Sequence, residues 1–329
     1  MSMPRLWSVL PAILSLWLVA GCASSSGGQL AGSDVPPSAP NAGDAGQVRV
    51  MVTVDFGAAT ILDESVALHE GLTALQALQA VADVGTTYGG GFVQSIDGVG
   101  QSRESRTDWF YSVNGVLAKG GSAGLELREG DITHWDYRRW DFRRNVSATL
   151  GCFPAFLLNG YRGEVRPTVV AHGRGFEDEA VRIVEALRAC DVQDVSHRPL
   201  AEAGEPAKQD ANLIIVAGSD EPLVREVFGE WEKLGLFARL DAAGLEVFTS
   251  AGDATWVDGS AGLLQPLQNP WNPSGTGACE NVTLLVTGTD TAGVRAAVSA
   301  LMDGRQGSET WCGAVVGESA VTPLPHPAV

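Results

Sequence analysis

The chain has 329 residues, with 22 lysines and arginines against 39 acidic residues, a formal net charge of −17 and 45% apolar residues. Such a length and apolar content suffice for two folded domains and exclude a wholly disordered chain. The acidic balance excludes a sequence-independent grip on nucleic-acid phosphates or anionic lipid headgroups, which needs clustered Lys and Arg.

Leu6 to Ala20 is the one long apolar run. It falls short of the roughly 20 residues of a bilayer span and fits the h-region of a secretory leader. Leu18-Val19-Ala20-Gly21-Cys22 resembles a bacterial lipobox. That resemblance implies a signal peptide over 1–21, lipidation of Cys22, and an exported lipoprotein on the outer face of the cell membrane, its lipid the only membrane contact. Residues 22–47, rich in Ser, Gly, Ala, Pro and Asp, read as a disordered tether with a reach of about 25–30 Å. With Cys22 set aside, Cys152, Cys190, Cys279 and Cys312 are an even set in an oxidising compartment, so two disulfides are expected. Three pairings exist, and spacing favours Cys152–Cys190 with Cys279–Cys312. No pair has zinc-ligand spacing with a histidine nearby, so no metal site is expected.

A first domain is expected over 48–145. Val48, Val50, Val52, Val54 and Phe56 alternate with Arg49, Met51, Thr53 and Asp55, the pattern of a half-buried strand. Thr73-Ala74-Leu75-Gln76 forms a capping box for a helix reaching about Val84. A Gly-rich bend over 85–91, strands at Phe92–Ile96 and Asp108–Val113, the hairpin signal Asn114-Gly115 and a strand from Ile132 to Phe142 complete a small α+β sheet.

Three stretches, Tyr88 to Val99, Trp109-Phe110-Tyr111-Ser112-Val113-Asn114-Gly115, and Leu127-Arg128-Glu129-Gly130-Asp131 followed by Trp135-Asp136-Tyr137, stand in the order of a known family. Over residues 48–142 the chain resembles the C-terminal β-grasp domain of transcobalamin and intrinsic factor, a domain also carried on bacterial lipoproteins. The resemblance implies that the 114–117 hairpin tip touches a corrinoid ligand of the cobalamin type, held non-covalently, in a domain that closes over one face of it.

The second domain is expected over 146–320, with a tail at 321–329. Apolar runs at Thr168–Ala171, Leu213–Ala217 and Val282–Val286 alternate with helical patterns at 177–189, 222–234 and 291–301, which predicts an α/β domain with a mostly parallel sheet. A hairpin over 237–249 precedes a stretch from Ala251 to Glu280, holding Trp256 and Trp271, that reads as a long loop.

No catalytic pattern holds up. Gly120-Gly121-Ser122-Ala123-Gly124 has the spacing of a nucleophile elbow but lies in a loop of a β-rich domain. The histidines form no i,i+4 pair, and Gly173-Arg174-Gly175 lacks the rest of a phosphate loop. The positive feature is aromatic. Trp109, Tyr111, Trp135 and Tyr137, with Trp140 and Phe142 beyond and Arg138, Arg139, Arg143 and Arg144 interleaved, offer flat faces for a planar ligand. The same residues serve equally as a β-grasp core. The expected ligand-binding set is therefore Trp109, Tyr111, Asn114, Val116, Leu117, Trp135 and Tyr137, converging with the Trp256/Trp271 stretch in a cleft between the domains. The leading expectation is a non-catalytic surface protein that captures a corrinoid or related small molecule and hands it to a membrane transporter. Two alternatives stay open: an adhesive envelope module binding protein or glycan, and an exported hydrolase using His172, His197 and Asp220.

Overall fold

The computed structural model describes residues 46–143, 145–304 and 311–327. The expected signal peptide over 1–21, the expected lipidation site Cys22, the expected tether as far as residue 45 and Arg144 lie outside the described residues. Residues from Ala45 to Val329 group as one compact unit.

The first half runs β1 (Gln47–Val54), β2 (Ala59–Ala67), α1 (Ala74–Gln79), β3 (Val84–Thr87), β4 (Phe92–Ile96), β5 (Val99–Gly100), β6 (Thr107–Val113), β7 (Val116–Leu117) and β8 (Ile132–Arg139). Five strands pair in the order β2-β1-β8-β6-β7, and β3-β4-β5 form a small separate sheet. β1 and β8 are parallel, and the other neighbours in the larger sheet antiparallel, the arrangement of a β-grasp. The capping box forms as expected: Gln76 N donates to Thr73 Oγ1 at 3.2 Å and Thr73 N donates to Gln76 Oε1 at 2.9 Å. The helix ends at Gln79 rather than near Val84, because Val84–Thr87 leaves to pair with β4.

Strand β1 is buried on both faces, not one. Val48, Val50 and Val52 pack under α1 as expected, but Met51 and Thr53 are 3% and 1% exposed. The second face is covered by the C-terminal half of the chain, where Phe56 packs edge-on to Phe237 with ring centres 5.0 Å apart.

That half contains α2 (Ala155–Leu158), β9 (Thr168–His172), α3 (Glu177–Ala189), β10 (Val195–Pro199), α4 (Glu205–Asp210), β11 (Asn212–Val216), α5 (Pro222–Gly229), β12 (Ala238–Asp241), β13 (Gly244–Phe248), β14 (Ala254–Val257), β15 (Gly262–Gln268), β16 (Val282–Gly288), α6 (Thr291–Met302), β17 (Gly313–Val316) and β18 (Val321–Leu324). Seven strands order as β10-β9-β11-β16-β15-β17-β18. The pairs from β10 to β16 are parallel and those from β16 to β18 antiparallel, so the sheet is mixed rather than mostly parallel. α3 and α6 cover one face, while α5 and the β12-β13-β14 sheet contribute to the core on the other.

The difference from expectation centres on β15. Residues 251–280 are not one loop, since Gly262–Gln268 is a fully buried strand in the middle of the sheet. Pro266 and two glutamines hide it in the sequence, because proline cannot donate to a ladder and buried amides are costly unless paired. Partners offset most of that cost: Gln265 Nε2 donates to Cys312 O at 2.9 Å, although its Oε1 is buried without one, and Gln268 Oε1 accepts from Cys279 N at 2.9 Å. The 321–329 tail likewise begins with edge strand β18.

The four cysteines are free thiols, contrary to the disulfides expected. Cys190 is exposed at the end of α3, whereas Cys152 is buried against the hairpin glycine Gly115. Cys279 and Cys312 sit in the cores on opposite faces of the sheet.

Helix α6 approaches β15 closely. Asp290 caps it, accepting from Gly293 N at 2.8 Å. A Cβ on Gly293 would overlap the carbonyl of Ala261. Gly293→Ala is therefore expected to lower the urea midpoint, by about 1–3 kcal/mol of overpacking, although alanine favours helix. An unchanged or raised midpoint would contradict this packing.

Candidate functional site

The register of β6 against β8 sets Trp109 opposite Tyr137 and Tyr111 opposite Trp135. The four rings share the α1 side of the sheet, at centroid distances of 5.1 Å for Trp109–Tyr137 and 4.7 Å for the stacked Tyr111–Trp135 pair. Three of the polar ends turn to the backbone: Trp109 Nε1 donates to Val99 O at 2.8 Å, Tyr111 Oη to Gly120 O at 2.7 Å and Tyr137 Oη to Gly100 O at 2.9 Å, while Trp135 Nε1 is buried without a partner. Trp135 is buried and part of the core, as is most of Trp109, while Tyr111 and Tyr137 keep partial exposure.

The hairpin tip is enclosed by protein. Asn114 and Gly115 adopt positive φ, as the Asn-Gly signal requires. Asn114 Nδ2 donates to Asp131 Oδ1 at 2.8 Å and Gly160 O at 2.9 Å, while its Oδ1 accepts from Ile132 N. Val116 is 3% exposed in the core shared with α3, and Leu117 N donates to Ser147 O. The expected cleft between the halves is closed here. A void of about 10 Å³ remains beside Ser112, His134 and Arg138, room for one water.

The reason lies on the second face of the grasp sheet. Asp136, on β8, accepts from Thr53 Oγ1 at 2.6 Å, Phe56 N at 3.0 Å and Gly57 N at 3.2 Å, and lies 3.6 Å from Arg138 Nη1. Arg138 stacks on the rings of Phe56 and Phe110, at 4.9 and 4.4 Å. His134 Nε2 lies 2.7 Å from Thr53 Oγ1. Since the hydroxyl gives its one proton to Asp136, it can only accept from the imidazole, so His134 carries its own proton on Nε2 and donates it to Thr53 Oγ1. The Asp136 carboxylate on this face is thus partnered within the first half, and Arg138 is partnered through Nη1 only.

The open space is elsewhere, along the outer edge of β6. β7 pairs only with Ser112 and Val113; farther along the outer side of β6, Thr107 bridges to Ser102 and Tyr111 O accepts from Ala118 N, so the stretch without a partner strand is the short one around Trp109. A groove of about 390 Å³ follows this edge. Phe92, Trp109, Phe110, Tyr111 and Trp140 supply rings, and Arg103 and Asp108 supply charge of both signs. Phe92 is 38% exposed, and Tyr88 nearby in sequence is 92% exposed. Of the expected set, Trp109, Tyr111 and Leu117 line the groove, whereas Asn114, Val116, Trp135 and Tyr137 do not. Phe92, Arg103 and Phe110 were not expected. Phe110 points to the opposite face from Trp109 by strand alternation, but at a sheet edge both faces border one groove.

Trp256 stands on β14 and is 46% exposed, and Trp271 Nε1 donates to Glu226 of α5 at 2.8 Å. Neither lines the groove. His172 and His197 have ring centres 5.9 Å apart, but Asp220 lines a different cavity with Arg225 and Trp231. Ser122 is 2% exposed in a short helical turn. Among the described residues no group of three or more His, Cys, Asp or Glu is placed to hold a metal ion.

Residues 71–139 match a family described as a domain of unknown function, DUF4430. No curated protein matches the chain. Among solved structures, the chain is similar to a putative metal binding protein from Ruminococcus gnavus, at 11% identity and a TM-score of 0.23, covering 29% of this chain and 97% of that one. It is also similar to haptocorrin, solved in complex with Cbi, at 16% identity and a TM-score of 0.25, covering 30% of this chain and 27% of that one.

Proposed function

We propose that this protein is a non-catalytic, lipid-anchored binding protein of the cell surface that captures a large planar small molecule, of the corrinoid class, in the groove along β6. The observation that carries the reading is the groove itself: five aromatic side chains along the outer edge of β6 around Trp109, with the Arg103 guanidinium at its wall to meet polar substituents. Rings present flat apolar area at little entropic cost, and strand-edge amides and charges fix orientation. The resemblance of residues 48–142 to the vitamin-carrier β-grasp supports the ligand class, and the lipobox at Cys22 supports the location. The groove takes one side of such a ring system and leaves the other free for a transporter.

The test is titration of the protein with cobinamide and cobalamin, read by tryptophan quenching corrected for corrinoid absorbance. Saturable binding at micromolar or lower concentration is expected. Phe92→Ala and Trp140→Ala should each weaken it by about 1–2 kcal/mol, roughly 5- to 30-fold, and Trp256→Ala should leave it unchanged. Folded protein without saturable quenching, or groove variants that bind normally, would overturn the reading.

A second reading has its own support. Tyr88, Phe92 and Val99 are exposed on the small β3-β4-β5 side of the domain, and such patches mark protein contacts. On that reading the protein is an adhesive envelope module, and corrinoids do not bind.

A further inference from the structure

The four parallel strands have the order β10-β9-β11-β16, with β9 first in the chain. From β9 the chain crosses one face through α3 to reach β10. It then returns through the opposite face, where Ala203 and Ala207 pack, to β11 on the other side of β9. Connections leaving to opposite faces part the loops that follow β9 and β11. In open α/β sheets this switch point, outside the carboxyl ends of the strands, is where ligands bind.

A crevice of about 630 Å³ lies there, within the size range of small-molecule sites. His172, Arg174, Glu177, Leu200, Glu221 and Leu223 line it, together with the glycines at 173 and 175. His172 ends β9 and is 7% exposed. Its Nδ1 lies 3.3 Å from Gly173 O and so carries the proton toward that carbonyl. Nε2 has no hydrogen-bond partner among the described residues and is not among the fully buried polar atoms, which leaves it as a free acceptor at the crevice wall. α3, 13 residues long, starts at the same wall with no side-chain cap, so its first amides lack side-chain acceptors. A Cβ on Gly173 would lie 3.2 Å from Glu221 Oε1, so the glycine makes room for that carboxylate over the loop.

The charges decide the ligand class. One guanidinium, two carboxylates and a helix N-terminus nearly cancel, so no net field favours an ion of either sign. A phosphate would meet Glu177 and Glu221, and the described residues place no three-ligand metal cluster. What remains is a ring of hydrogen-bond donors and acceptors around the apolar side chains of Leu200 and Leu223. We propose that this crevice is a second ligand site, independent of the β6 groove, for a small neutral polyol such as a sugar. Its hydroxyls would donate to Glu177, Glu221 and His172 Nε2 and accept from Arg174 and the first amides of α3, with its C–H face on the leucines.

The probe is D-glucose, titrated into the full chain carrying ¹⁵N-labelled histidine, with inorganic phosphate and methylammonium as comparisons. A saturable shift of the His172 imidazole nitrogens in the millimolar range is expected with glucose alone. Glu177→Gln, an exposed position that does not endanger the fold, and Leu200→Trp, which fills the crevice, should each weaken it by about tenfold or more. Phe92→Ala, in the groove, should leave it unchanged, which separates this proposal from the corrinoid reading. No saturable shift at His172, a larger response to phosphate or methylammonium, or full binding by both crevice variants would overturn it.

Discussion

Asp136→Ala is expected to destabilise the fold by about 3–5 kcal/mol, the usual cost of stranding one partner of a buried ion pair. The carboxylate is 1% exposed, and its removal leaves the amides of Phe56 and Gly57 and the hydroxyl of Thr53 without their acceptor. It also leaves Arg138, 4% exposed, as an uncompensated buried cation whose Nε and Nη2 already lack protein partners. The rings of Phe56 and Phe110 over the guanidinium contribute about 0.5–2 kcal/mol and do not replace a counter-charge. Replacing both residues, as in Asp136→Ala with Arg138→Met, should recover part of the loss, since the charge and its partner leave together. Urea unfolding of the single and double variants checks this. A loss below about 1 kcal/mol for Asp136→Ala would mean that this cluster does not hold the second face of the grasp sheet together.

Stability should also fall steeply with acid through His134. Burial lowers the pKa of this imidazole from 6.5 to about 4, with Asp136 opposing and Arg138 reinforcing the shift. Between those values the unfolded chain binds a proton that the folded chain does not, so the stability lost as pH falls begins near 6.5 and is complete near 4. The shift corresponds to about 3 kcal/mol. In a His134→Gln variant this component should vanish, whatever the variant's stability at neutral pH. Urea midpoints measured from pH 7.5 to 4 on both proteins provide the comparison, and parallel pH profiles would contradict the assignment.

The parts of the fold legible in the sequence were those written in local chemistry. The Thr73/Gln76 box, the Asn114-Gly115 turn and the valine alternation of β1 each rest on residues within a few positions of one another. β15 was not legible because Gln265 and Gln268 become tolerable only through partners at residues 312 and 279. β10 was missed for another reason: as a sheet edge it buries only Val195 of Val-Ser-His-Arg-Pro, too little apolar content to mark a strand. For the site, the sequence places the ligand contact on β6, β8 and the hairpin tip, whereas the open groove follows the outer edge of β6. Whether Val116 meets ligand or protein depends on what the rest of the chain brings to it, and here Ala148 pairs with it. The groove needed the fold, since Phe92, Arg103 and Trp140 are distant in sequence and meet only along the outer edge of β6.

The most direct test of the central claim is a crystal of the protein grown with cyanocobinamide and measured at the cobalt absorption edge. The account predicts one strong anomalous peak beside Phe92, Trp109 and Trp140, with the corrin ring against the outer edge of β6. A crystal of folded protein with an empty groove, or with cobalt at the crevice by His172, would contradict it.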